Sequence, residues 1–157
     1  DRFLMQVNVS YPDAEAETRI LKLARREASG TTPAPPQPLT QEAVFKARQA
    51  VLSVHMAEAV EAYIVQLVIA TREPGAYDNE LSDWLEFGAS PRATIALDRC
   101  ARANAYLHGR DYVSPDDVQA VVTDCLKHRL ILSFEAEAAG VTRAQVINRL
   151  LETVAVG

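Results

Sequence analysis

Apolar residues recur three and four apart along most of this chain, the spacing of helices that turn one face to a core. From Met56 to about Thr71 the series Val60, Tyr63, Ile64, Leu67 and Val68 keeps that spacing, and Arg72 closes the last turn. Before it, Thr40 supplies a cap and Glu42 an acidic first turn for a helix through Val44, Ala47 and Val51 to about Ser53. Earlier still, Tyr11-Pro12-Asp13 opens a helix to about Ala28 with Ile20, Leu21 and Ala24 as its stripe, and Ser29-Gly30 stops it. Thr31 to Pro38 holds four prolines in eight residues, so it is an extended connector: fixed φ angles and missing donors exclude a helix.

The second half continues in the same way. Ser90 and Pro91 form a cap and first-turn pair for a helix reaching about His108, with Arg92 projecting from its first turn. Gly109 to Val113 makes a turn with an extended tail, and Ser114-Pro115-Asp116-Asp117 launches a helix to about Lys127. Thr142-Arg143-Ala144-Gln145 is a capping box for a last helix through Val146, Ile147, Leu150, Leu151 and Val154. Glu73 to Glu86, with Pro74-Gly75, reads as a surface loop that Leu81, Trp84 and Leu85 pin to the core.

One segment breaks the helical pattern. Phe3, Met5, Val7 and Val9 alternate with a period of two, which predicts a short half-buried strand. A lone strand cannot bury its face or satisfy its edges, so without their sheet residues 1–10 are expected to be disordered, to swing onto the helices or to pair with another copy. The fold class is therefore all-α, a helical bundle with a short N-terminal strand.

The 157 residues suffice for one domain with a real core, and 48% hydrophobic against 24% charged residues is a globular balance. A net charge of -5 argues against a surface built for nucleic-acid phosphates. No window reaches the roughly 18 to 20 apolar residues of a membrane span. Cys100 and Cys125 fall within helical apolar patterns and read as buried reduced thiols. The first ten residues lack the pattern of an export signal and read as the middle of a longer, cytoplasmic protein.

Candidate chemistry is sparse. The chain has no glycine-rich loop ending in Gly-Lys-Ser or Gly-Lys-Thr, no Gly-x-Ser-x-Gly elbow, no His-Glu-x-x-His helix and no Cys-x-x-Cys. His55, His108 and His128 lie far apart, and no segment offers three metal ligands. Ser90 has no base in register and is explained by capping. Arg92, at the mouth of a helix beside exposed amide donors, could attract phosphate oxygens or be a plain surface arginine.

Several blocks taken together change that balance: Asp1-Arg2-Phe3, Tyr11-Pro12, Phe87-Gly88-Ala89-Ser90-Pro91-Arg92-Ala93, Gly109 to Val118, and His128-Arg129-Leu130-Ile131-Leu132-Ser133. In this order they resemble the carboxy-terminal part of a MoxR-family AAA+ ATPase, over essentially the whole chain. The resemblance implies that residues 1–10 are the last strand of the AAA+ core and 11–157 the helical lid domain. It implies that Arg92 is the sensor 2 residue, reaching the phosphates of ATP held by the preceding core. Arg2 would be an arginine finger acting in trans on ATP in the next subunit, and Tyr11 and Pro12 would form the hinge between core and lid.

The same resemblance implies ATP and Mg2+ as cofactors of the full-length parent, a hexameric ring, and chaperone-like remodelling with von Willebrand factor A domain partners. The phosphate loop, Walker B acid and sensor 1 would lie upstream of Asp1, so the stretch alone is expected to be inactive. Two other readings stay open on the residues themselves. One is a helical protein–protein interaction domain with no nucleotide role. The other is a DNA-binding helical module, against which the net charge speaks.

Overall fold

The computed structural model describes residues 2–30 and 37–156, and the predicted connector at Thr31 to Pro38 lies mostly outside them. Among the described residues there are eight α-helices, a 3-10 turn and a two-stranded sheet. The helices are α1 (Ala14–Ala28), α2 (Gln41–Ser53), α3 (Glu58–Arg72), α4 (Asn79–Trp84), α5 (Pro91–Leu107), α6 (Pro115–Leu126), α7 (Phe134–Ala138) and α8 (Arg143–Thr153). Strands β1 (Leu85–Phe87) and β2 (Ile131–Leu132) pair antiparallel, with Leu85 opposite Leu132. No helix of the described residues is long and apolar enough to cross a membrane.

The core runs from Val54 to Val154. Leu67 of α3, Leu97 of α5, Val118 of α6 and Ile147 and Leu150 of α8 are completely buried. Neither α1 nor α2 buries a side chain fully, so these helices sit outside that core. The predicted Thr40 cap is formed, its hydroxyl accepting from Ala43 N at 3.1 Å, and Asp13 caps α1 by accepting from Ala16 N at 2.7 Å. In the Thr142 box, Gln145 Oε1 accepts from Thr142 N at 2.8 Å.

Three expectations are corrected. Phe3 to Val9 form no strand, and their side chains are exposed. They lie instead as an extended strap on the helices, with Gln6 N donating to Asp124 O at 2.9 Å. Glu73 to Glu86 is not simply a loop: it contains the 3-10 turn Pro74–Ala76, α4 and the start of β1. Asp78 caps α4 through Leu81 N at 3.0 Å and is gripped by Arg149 at 2.7 Å, while Leu81 is fully buried. Ser90 occupies the N-cap position of α5, but its hydroxyl makes no cap hydrogen bond. Position, with Pro91 next to it, starts that helix.

Candidate functional site

The geometry of the site begins at the end of α3. Thr71 is buried, its hydroxyl donates to Val68 O at 2.7 Å and accepts from Ala89 N at 2.9 Å. Next to it, Arg72 Nε donates to Ala89 O at 2.6 Å. Both backbone groups of Ala89 are thus held by consecutive residues of α3, and α5 departs two residues later. Ala93, Ala96 and Leu97 bury the inner face of α5, which leaves Arg92, Ile95 and Arg99 on the outer one.

Gly88 explains how the loop gets so close. A Cβ there would stand 2.1 Å from Thr71 O, 2.4 Å from Thr71 C and 2.8 Å from Arg72 N, all backbone atoms that cannot rotate aside. Replacing Gly88 by alanine is expected to cost about 2–3 kcal/mol, the upper part of the range for overpacking. Urea unfolding of the two proteins measures this, and a difference under about 0.5 kcal/mol, typical of a neutral surface change, would mean that the loop moves off without penalty.

The outer face of α5 forms one wall of a cleft of about 260 Å³. The strap residues Arg2, Phe3 and Leu4 form the other wall, and Arg129 closes one side. Four guanidinium groups, Arg2, Arg92, Arg99 and Arg129, therefore line one small space, and no described acidic residue lines it. Such a lining suits an anion rich in oxygens, because planar guanidiniums bind phosphate in a forked geometry. It does not suit a divalent cation such as Mg2+, which takes oxygen ligands, commonly carboxylates.

Of the residues singled out in the sequence, Arg2 and Arg92 come together here. Tyr11 and Pro12 do not: neither lines the cleft, and Tyr11 is 99% exposed. The sequence offers Arg99 only as part of the basic face that a DNA-binding module would need, and Arg129 only as a member of the His128 to Ser133 block. Arg99 stands two helical turns after Arg92, a spacing that places both on one face and was available as a signal. Arg129 lies within the His128 to Ser133 block, but nothing in that block says that its side chain turns to the strap.

A second buried constellation fixes the segment after α5. The Asp117 carboxylate, completely buried, accepts from Arg110 Nη1 and Nη2 at 2.6 Å each. It also accepts from Asn104 Nδ2 at 2.8 Å and from Ser114 N at 2.8 Å. Burial would raise its pKa, but the hydrogen bonds from Arg110, Ser114 and Asn104 outweigh it and bring the group down to about 2. The tail of this turn is tied to the α2–α3 junction by His55 N to Asp111 O and Val113 N to His55 O, both 2.8 Å.

Comparison with known proteins follows the same outline. Residues 81–150 match the family model described as an AAA lid domain. The chain is 38% identical over 156 residues to the chaperone MoxR1 of Mycobacterium tuberculosis, covering 99% of this chain and 40% of that protein. It is also 32% identical over 170 residues to protein MoxR of Methylorubrum extorquens, covering 98% of this chain and 47% of the relative.

The chain belongs to the MoxR family of AAA+ ATPases.

A crystal structure provisionally described as an ATPase of Cytophaga hutchinsonii superimposes with a TM-score of 0.91 at 37% identity, over 99% of this MoxR-family chain and 47% of that one. The chain thus spans less than half the length of these relatives. A shorter likeness, 51% over 39 residues, links it to the magnesium-chelatase subunit ChlI of Nicotiana tabacum. The MoxR assignment and the AAA lid match agree with the helical fold, and the lid match covers the core from Leu81 to Leu150.

Proposed function

We propose that this chain is the moving lid of an ATP-driven remodelling protein, and that its arginine cleft receives the phosphates of ATP. Residues 1–10 carry the chain out of the α/β core and 11–157 form the lid. The observation that carries the reading is the gathering of Arg2, Arg92, Arg99 and Arg129 around one space. Guanidiniums gathered in this way offer several forked donors to the oxygens of a polyphosphate.

Arg92 would serve as sensor 2 and Arg2 as the finger. Because they share a cleft, the two would act on one nucleotide, and a finger that works in trans would make it the neighbouring subunit's. This departs from the division implied by the family resemblance, in which Arg92 serves its own subunit's ATP. The nucleotide supplies a γ-phosphoryl group for transfer to water; Arg2 and Arg92 would orient it and neutralise charge on its oxygens. Mg2+ would be held elsewhere, since no described residue of the cleft offers it a carboxylate.

Loss of the γ-phosphate lowers the negative charge between the two walls, and the lid would move as a body on that signal. In the full-length protein this would couple hydrolysis to remodelling of partner proteins in the cytoplasm, within a hexameric ring and with von Willebrand factor A domain proteins among the partners. An interaction module with no nucleotide role is the competing reading. It draws on a mostly apolar groove between α2 and α5, lined by Val44, Val51, Leu52, Ala103 and Leu107.

Steady-state ATP hydrolysis by the full-length protein separates the two. Arg92→Ala should lower kcat by about 10² to 10³, the usual loss when one donor to developing phosphate or oxyanion charge is removed. Unchanged turnover and nucleotide affinity would leave the interaction module as the better account.

A further inference from the structure

The strap that carries Arg2 is held only partly by burial: Leu4 and Met5 keep 42% and 36% of their surface in water, but Phe3 keeps 80%, Val7 66% and Val9 93%. The ties that fix its direction are polar. Gln6 N donates to Asp124 O at 2.9 Å, Arg129 Nη1 donates to Leu4 O at 3.2 Å, and Arg129 Nη2 donates to Phe3 O. The same Nη1 also donates to Cys125 O, in the last turn of α6, and Arg129 N donates to Leu126 O at 2.8 Å.

One guanidinium thus bridges two strap carbonyls and a carbonyl at the end of a core helix. Only a planar group with several fixed N–H donors can do so, and a lysine ammonium in its place would keep the charge but lose the fork. Arg2 precedes the first clamped carbonyl by one residue, so the direction in which it leaves the strap is set where Arg129 grips.

We infer that Arg129 is a positioning residue: it clamps the strap so that Arg2 faces Arg92, and it ties Arg2 to the end of α6. The superposition with the Cytophaga hutchinsonii structure takes in 99% of the chain, so most of the strap is inside it, as a placement kept in a longer protein requires. The inference rests on the reading that Arg2 acts on ATP.

The test uses the full-length protein, with Arg2→Ala, Arg129→Lys, their double variant and Gln6→Pro. Amide hydrogen exchange reads the strap without nucleotide, and steady-state ATP hydrolysis reads its effect. In Arg129→Lys, exchange at Gln6 should quicken by roughly tenfold, the factor that loss of a charge-assisted hydrogen bond gives. Its kcat should fall by a similar factor with KM unchanged, and the loss should disappear in the Arg2→Ala background, because a clamp with nothing to position has no effect.

Gln6→Pro removes the other tie from an exposed position outside the core and should lower kcat in the same manner. If Arg2→Ala is crippled while Arg129→Lys exchanges and turns over like wild type, or if the two losses multiply, the clamp is wrong and the reading of Arg2 survives. If Arg2→Ala turns over like wild type, that reading fails and the positioning role falls with it.

Discussion

Asp117→Ala should unfold this chain at a free energy about 3–5 kcal/mol below wild type, the cost of breaking a buried ion pair by removing one partner. The carboxylate receives both guanidinium nitrogens of Arg110, the Asn104 amide and the Ser114 backbone N–H, and once it is gone Arg110 keeps only a longer bond from Nη1 to the Ser114 hydroxyl at 3.3 Å. Arg110 keeps 30% of its side chain in water, which argues for the lower end of that range. Thermal unfolding should register a drop of roughly 10 °C for a domain of this size, and a shift within about 2 °C would show the network to be dispensable.

The same group sets a pH dependence with a definite sign. Its folded pKa lies at about 2, below the ordinary 3.8, so its contribution is fully present above that ordinary value and is lost as pH falls through the folded one. Acid titration of wild type should therefore lose stability between about pH 4 and pH 2, and Asp117→Ala should lose less over that interval. A parallel decline in both proteins would assign the acid sensitivity to other carboxylates.

Arg2→Ala in the full-length protein should cost about 10³ in kcat or more, the scale of an arginine finger that meets charge on a phosphoryl group in flight. Arg2→Lys should recover only part of it, because the ammonium is a point charge without the fork. Mixed assemblies decide whose nucleotide is served. If Arg2 and Arg92 of one chain act on the same ATP, mixing Arg2→Ala with Arg92→Ala subunits leaves every cleft short of one arginine, and activity stays low. If they serve different ATPs, random mixing completes roughly a quarter of the sites in a symmetric ring, and activity reappears.

What was legible in the sequence followed from length of pattern and from caps. Helix α3 shows five core positions in register, and α1, α2 and α8 are announced by Asp13, Thr40 and the Thr142 box. Helices α4 and α7, of six and five residues, are too short to display a period of 3.6, and they are held by contacts from afar. For α7 those contacts run through Ser133, whose hydroxyl donates to Asp83 O at 2.6 Å and caps Ala136 N at 3.1 Å. Strands of three and two residues carry no alternation at all.

The site divides in the same way. Arg92 was visible because a cap, a proline and a glycine mark its helix start, and the family resemblance gave it a role. Arg2 was visible only through that resemblance. Its meeting with Arg92, and the part of Arg99 and Arg129 in the same cleft, depends on where an exposed strap settles. Local sequence does not encode that, since an arginine on an outer helix face looks the same whether or not a distant backbone lies across from it.

The grip of Thr71 and Arg72 on Ala89 turns two helices into one stiff piece. With both backbone groups of Ala89 held and no room at Gly88, the junction has little slack to absorb a displacement of Arg92. Helix α3 extends 15 residues back from that junction, about 22 Å of rigid rod. On the proposed reading it would work as a lever arm: a small tug at Arg92 would become a larger swing at the Glu58 end of the helix.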